Sequence, residues 1–176
     1  MKELSKISND EIDMMTDKMS EDFIKEIRKD SSNIDFAVLE NRLKTKYIHD
    51  GHSAMFLDGR KGLCIIVDHE ISKQWSEINC KAEIKIFEKC SMKVIEHTIA
   101  EKVYSYLVQP DKKFYKDLEK IPDSEWSGMT SVTKTISQDI LGQIEKTATS
   151  IGLSLEDILQ LMTENAYITE LRSKMK

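Results

Sequence analysis

SAMFLDGRKGLCIIVD, residues 53–68, is the stretch that decides the fold. Two short apolar runs, SAMFLD (53–58) and LCIIVD (63–68), flank GRKG in the pattern of a β-hairpin. A turn centred on Arg60–Lys61 fixes the register: Phe56 faces Ile65, Met55 faces Ile66 and Ala54 faces Val67. Both faces of this hairpin are apolar, so it is expected between layers rather than at the surface.

On the N-terminal side, two amphipathic helices are predicted over 10–28 and 34–47. Ser8 or Asn9 caps the first, whose apolar stripe is Ile12, Met15, Met19, Phe23 and Ile27. The polar cluster KDSSN (29–33) ends it, and Phe36, Leu39, Leu43 and Tyr47 form the stripe of the second.

On the C-terminal side, residues 69–79 show no decisive period. CKAEIKIFEKC (80–90) alternates Ala82, Ile84 and Ile86 with Glu83 and Lys85, which reads as a half-exposed third strand, with a helix as the alternative. Met92, Ile95, Ile99 and Val103 have helical spacing, predicting a helix over 91–108 that ends before Pro110. A short element from Asp111 to Lys120 stops at Pro122, and IPDSEWSGMTS (121–131) reads as a loop or linker. Val132, Ile136, Ile140 and Ile144 then recur every four residues; Gly152 interrupts, Ser154 caps, and a last helix runs to about Arg172. The expected fold class is α+β: two N-terminal helices, a small antiparallel sheet built on the central hairpin, and a helical C-terminal half ending in an α-hairpin. Residues 1–120 make the α+β domain, and 132–176 the helical hairpin, either as its own module or as part of the same domain.

Composition narrows the functional classes. Of 176 residues, 40% are hydrophobic and 32% charged, enough to bury a core. The net charge of −5, spread along the chain, opposes general binding to phosphate backbones. Cys64, Cys80 and Cys90 form no CxxC, and an odd count points to a reducing compartment rather than a disulfide framework. The polar start MKELSKISNDEIDMM reads as neither signal nor transit peptide, and no apolar run is long enough to cross a bilayer. The expectation is a cytoplasmic protein with no cofactor.

TATSIGLSLEDILQLMTENA (147–166) has helix-turn-helix spacing. Ala148 is the small residue at the crossing, Gly152 lies in the turn, and Ile151, Leu153, Ile158 and Leu161 occupy locking positions. Over these twenty residues the chain resembles the DNA-binding helix-turn-helix family. That resemblance implies a recognition helix, yet SLEDILQLMTENA carries Glu156, Asp157 and Glu164, and only Gln160 and Asn165 suit base edges. A packing motif or a protein-binding surface is the expectation, with a DNA-binding regulator using 144–166 as the alternative.

His52 and His69 continue the hairpin register as cross-strand neighbours beside Asp68, close enough to share a metal or a proton. A metal-dependent enzyme centred on His52, Asp68 and His69 is a second alternative, although HExxH and HxH are both absent. Met15 and Met19 on an acidic helix, and Trp126 in a polar loop, are candidate interface residues. Trp126 could equally plug a groove between helices. The leading expectation is a non-enzymatic interaction protein (a regulator, adaptor or inhibitor) that binds another macromolecule, most readily a protein. Its contact residues would be Met15, Met19, Trp126, Glu156, Asp157, Gln160 and Glu164. A homodimer is compatible with this, whereas nucleic-acid and membrane partners are not expected.

Overall fold

A computed structural model describes residues 7–127 and 138–174. The chain is α+β, with two N-terminal helices, a four-stranded antiparallel sheet and a helical C-terminal half. The first helices are α1 (Asn9–Asp30) and α2 (Phe36–Asp50), followed by the hairpin β1 (Ser53–Gly59) and β2 (Gly62–Asp68). Next come α3 (Lys73–Lys89) and a second hairpin, β3 (Lys93–Ile99) and β4 (Val103–Gln109). Short helices α4 (Lys112–Leu118) and α5 (Asp123–Ser127) precede the final pair, α6 (Gln138–Ser150) and α7 (Leu155–Lys174). Val132 and Ile136, expected on α6, lie outside the described residues. Among those described, no helix is long and apolar enough to cross a membrane.

The strand order is β1-β2-β4-β3. In the first hairpin Met55 pairs with Ile66 and Phe56 with Ile65, the register set by a turn centred on Arg60–Lys61. Alternation then sends β2 side chains into two cores. Leu63, Ile65 and Val67 join Tyr104, Tyr106 and Val108 beneath α1, α2 and α3. Ile66 turns the other way, packing with Leu57 and Val103 against Ile144, Ala148, Ile151 and Ile158 of the C-terminal helices. The sheet is thus a middle layer, as two apolar faces require.

Capping explains most helix boundaries. Ser8 and Glu11 form a reciprocal capping box on α1, and Asp35 caps α2. Ser154 and Asp157 make a second capping box on α7, at 2.9 and 3.0 Å. Between α6 and α7, Gly152 takes φ 76° and the Leu153 N–H returns to the Ala148 carbonyl at 3.0 Å, a Schellman closure.

The structure overturns three sequence expectations. Residues 80–90 lie almost wholly in helix α3, not a strand. Its buried line includes Ser76, Asn79 and Glu83, so polar residues hide the helical period. Residues 91–108 form the β3–β4 hairpin instead of a helix. Strand β4, VYSYLVQ, is buried on both faces and has no alternation to announce it, while the irregular spacing in β3 includes a bulge between Val94 and Glu96. Part of the expected 121–131 loop is the short helix α5.

The inner stripe of α1 is also rotated from its expected position. Thr16 and Ser20 are fully buried, whereas Met14 and Met15 are 66% and 41% exposed and Met19 is half-buried. The small side chains let α3 approach closely. Lys85 Nζ donates to Thr16 Oγ1 and Lys89 Nζ to Ser20 Oγ, both at 2.9 Å. Lys81, Lys85 and Lys89 face Asp13, Asp17 and Glu21 in turn at 4.0, 3.0 and 3.4 Å. The partners advance together along both helices, so α1 and α3 run parallel.

Gly62 closes the first hairpin where β2 meets β4. A Cβ there would lie 2.7 Å from the Val108 carbonyl oxygen, a backbone atom that cannot swing aside. Gly62→Ala is expected to destabilise the fold by about 1–3 kcal/mol, read as a lower urea midpoint with unchanged slope.

Candidate functional site

At the open end of the first hairpin, His52 and His69 are neighbours, with ring centroids 5.8 Å apart. Trp75, from the first turn of α3, lies against both, at 4.6 Å from His52 and 4.3 Å from His69. His69 Nδ1 accepts the Ile71 N–H at 3.2 Å, and Nε2 sits 2.6 Å from Ser76 Oγ. Because the backbone N–H can only donate, the ring proton belongs on Nε2 and is given to Ser76. Both nitrogens are therefore engaged. Burial, followed by the neighbouring His52, depresses the His69 pKa to about 4. Asp68, on the opposite face, accepts Thr147 Oγ1 at 3.2 Å. Among the described residues no group of three or more His, Cys, Asp or Glu side chains is placed to hold a metal ion.

A polar cluster that the sequence reading missed lies deeper in the core. Glu83 on α3 is 2% exposed, and its Oε2 accepts three phenols: Tyr47 at 2.8 Å, Tyr104 at 2.9 Å and Tyr106 at 3.2 Å. Lys46 Nζ stands 3.6 Å from Oε1, which has no hydrogen-bond partner. Burial raises the Glu83 pKa, while Lys46 and the phenols pull it back. The cluster ties α2, α3 and β4 together. One available clue was VYSYLV, which puts Tyr104 and Tyr106 on one strand face and so demands an acceptor for two buried hydroxyls.

The thiols are poor nucleophiles. Burial pushes Cys64 up to about 12 and also raises Cys80 and Cys90.

A groove of about 740 Å³ lies on the sheet face opposite α3. It exists because α6 and α7 cover mainly the β1–β2 side and leave part of β4 and β3 open. Cys64, Ser105 and Leu107 form its floor, Glu96 and Thr98 line it from β3, and Leu153, Asp157, Gln160 and Leu161 form the facing wall. The turn residues Arg60 and Lys61 and the side chain of Glu164 lie at one end.

The two sheet edges next to this groove differ. At the turn end of β1, the Asp58 N–H donates to Asn165 Oδ1 at 2.8 Å and the N–H of the turn residue Arg60 to Glu164 Oε2 at 3.0 Å, so α7 covers that end of the edge. On β3, the Ala100 N–H bonds the Val103 carbonyl at 2.8 Å, which sets the alternation of the ladder. Thr98 and Glu96 then direct their backbone groups to β4, leaving those of His97 and Ile99 on the outer edge. Residues 95–98 are exposed.

These contacts locate the remaining candidates. Asn165 is engaged on β1, and Gln160 Nε2 donates to Glu164 at 3.2 Å, so both side chains suited to base edges have partners within the fold. Asp157 and Gln160 border the groove, and Glu156 is exposed. Trp126 is only 4% exposed and packs with Tyr115, Leu118 and Ile168 beneath the Arg60 guanidinium, 4.9 Å above its ring. It fills a groove between helices and is no exposed anchor. Met15 and Met19 lie on α1, away from the groove lining. Sequence reasoning missed Glu96, Thr98 and Ser105 because it placed them in a helix.

No protein-family model, curated protein or solved structure matches the chain.

Proposed function

We propose that this chain is a non-enzymatic interaction protein that binds another protein by taking up an extended segment of it along β3. The observation that carries this reading is the unequal treatment of the two sheet edges: α7 takes the outward Asp58 N–H of β1 and the Arg60 N–H of the adjoining turn, whereas the outer edge of β3 is exposed. Exposed edges invite pairing, and proteins ordinarily blunt them. Lys93 and the bulge between Val94 and Glu96 restrict the open part of β3 to its C-terminal half. An added strand there would hydrogen-bond through the backbone of His97 and Ile99 and present alternate side chains to the groove. The engaged nitrogens of His69 and the raised thiol pKa values favour binding over catalysis.

His97→Pro tests this directly. The proline removes an N–H that points away from β4, a replacement an edge strand tolerates. The variant is expected to keep its stability within about 1 kcal/mol and to lose its partner. Immobilised wild type and His97→Pro would be compared for proteins retained from the native source. A protein held by wild type and released by the variant fits the reading. Equal retention by both, or none by either, overturns it.

A further inference from the structure

We infer that the segment taken up along β3 is basic, with Lys or Arg at alternate positions facing the groove. This rests on the strand-addition reading and adds the chemistry of the occupant. Four carboxylates line the groove, those of Glu96, Glu119, Asp157 and Glu164, against two cations, Arg60 and Lys61. Arg60 is already engaged, bonded to Asp123 at 2.7 Å and stacked on Trp126. Among the described residues Glu96 and Glu119 make no ion pair, and burial of a partner beside them would leave carboxylates uncompensated unless it brought positive charge.

Strand geometry places that charge. Glu96 and Thr98 share the groove face of β3, and a residue added directly opposite either has its Cβ about 4.5–5.5 Å away. A Lys or Arg opposite Glu96 pairs with it, and its alkyl stem can lie along Leu107 while the charged end reaches towards Asp157 or Glu119. Ser105 offers a hydroxyl to the occupant. It is 8% exposed, lies on the floor, and among the described residues its hydroxyl has no hydrogen-bond partner. A polar group from the occupant would supply one. Side chains at intervening positions fall on the other face, near Val94 and Ile99, and are best apolar.

The test uses the full chain and three capped octapeptides: alternating Lys and Val, alternating Glu and Val, and the Lys–Val peptide N-methylated on alternate residues. Binding is followed by amide NMR. The Lys–Val peptide is expected to bind and perturb the amides of His97, Ile99 and Ser105. Glu96→Gln and Glu119→Gln should each weaken it about threefold, the scale of a rim ion pair. The Glu–Val peptide should not bind. Equal binding of Glu–Val, or no effect of either substitution, overturns the basic occupant and leaves strand addition standing if His97→Pro still blocks binding. Lys–Val binding that survives both N-methylation and His97→Pro overturns strand addition and keeps the charge preference. Absence of binding by any peptide overturns both.

Discussion

Glu83→Ala is expected to lower the unfolding free energy by about 3–5 kcal/mol, the usual effect of removing one partner from a buried ionic cluster. The substitution leaves the hydroxyls of Tyr47, Tyr104 and Tyr106 without their shared acceptor and Lys46 without its buried counter-charge. The loss would be read by urea denaturation, where the midpoint falls while the slope is kept. Glu83→Gln retains an acceptor oxygen and should lose less. Tyr47→Phe removes one of three donors and should lose only about 1 kcal/mol. If Glu83→Ala stayed within 1 kcal/mol or so of wild type, the carboxylate would not be the hub joining α2, α3 and β4.

Acid weakens the fold through His69. The folded pKa is about 4 and the ordinary value 6.5, so between these limits the unfolded chain binds more protons. Stability contributed by neutral His69 is complete above 6.5 and falls as pH drops towards 4. The mechanism is local, because a proton on Nδ1 would face the Ile71 N–H, donor against donor. The full difference is reduced by solvent relaxation around the half-exposed His52, leaving about 2 kcal/mol. Glu83 works in the other direction: its raised pKa favours the fold at low pH, with that contribution lost as pH rises through the folded value. The comparison is therefore between wild type and His69→Gln, which retains a donor for Ser76. Their stabilities should converge as pH falls from 6.5 to 4; a constant difference would show that His69 does not titrate with unfolding.

The way α7 is used separates spacing from function. Ala148, Gly152 and Ile158 follow helix-turn-helix spacing because any tight α-hairpin needs a small crossing residue, a left-handed closure and apolar locking positions. What distinguishes this hairpin is where it docks. Asn165 and Glu164 bond the turn end of β1, and the adjoining face of the same helix, Asp157, Gln160 and Leu161, borders the groove. Spacing cannot report either fact.

The sequence by itself determined the elements whose rules are local. The first hairpin was legible down to its register, since a two-residue turn fixes every cross-strand pair and apolar residues on both faces require two covering layers. Ser8, Ser154 and the α2 stripe were legible for the same reason: caps and amphipathic periods act within a few residues. Tertiary structure alone decided the rest. Glu83 looks like a solvent-facing residue until Tyr47, Tyr104 and Tyr106, from distant parts of the chain, surround it. Thr16 and Ser20 look like surface residues until α3 brings lysines to their hydroxyls. The open edge of β3 becomes visible only when α7 is seen to take the outward Asp58 N–H of β1 and nothing among the described residues does the same for His97 and Ile99. Burial of a polar group, or exposure of a strand edge, depends on what folds against it, and that information is not carried by neighbours in sequence.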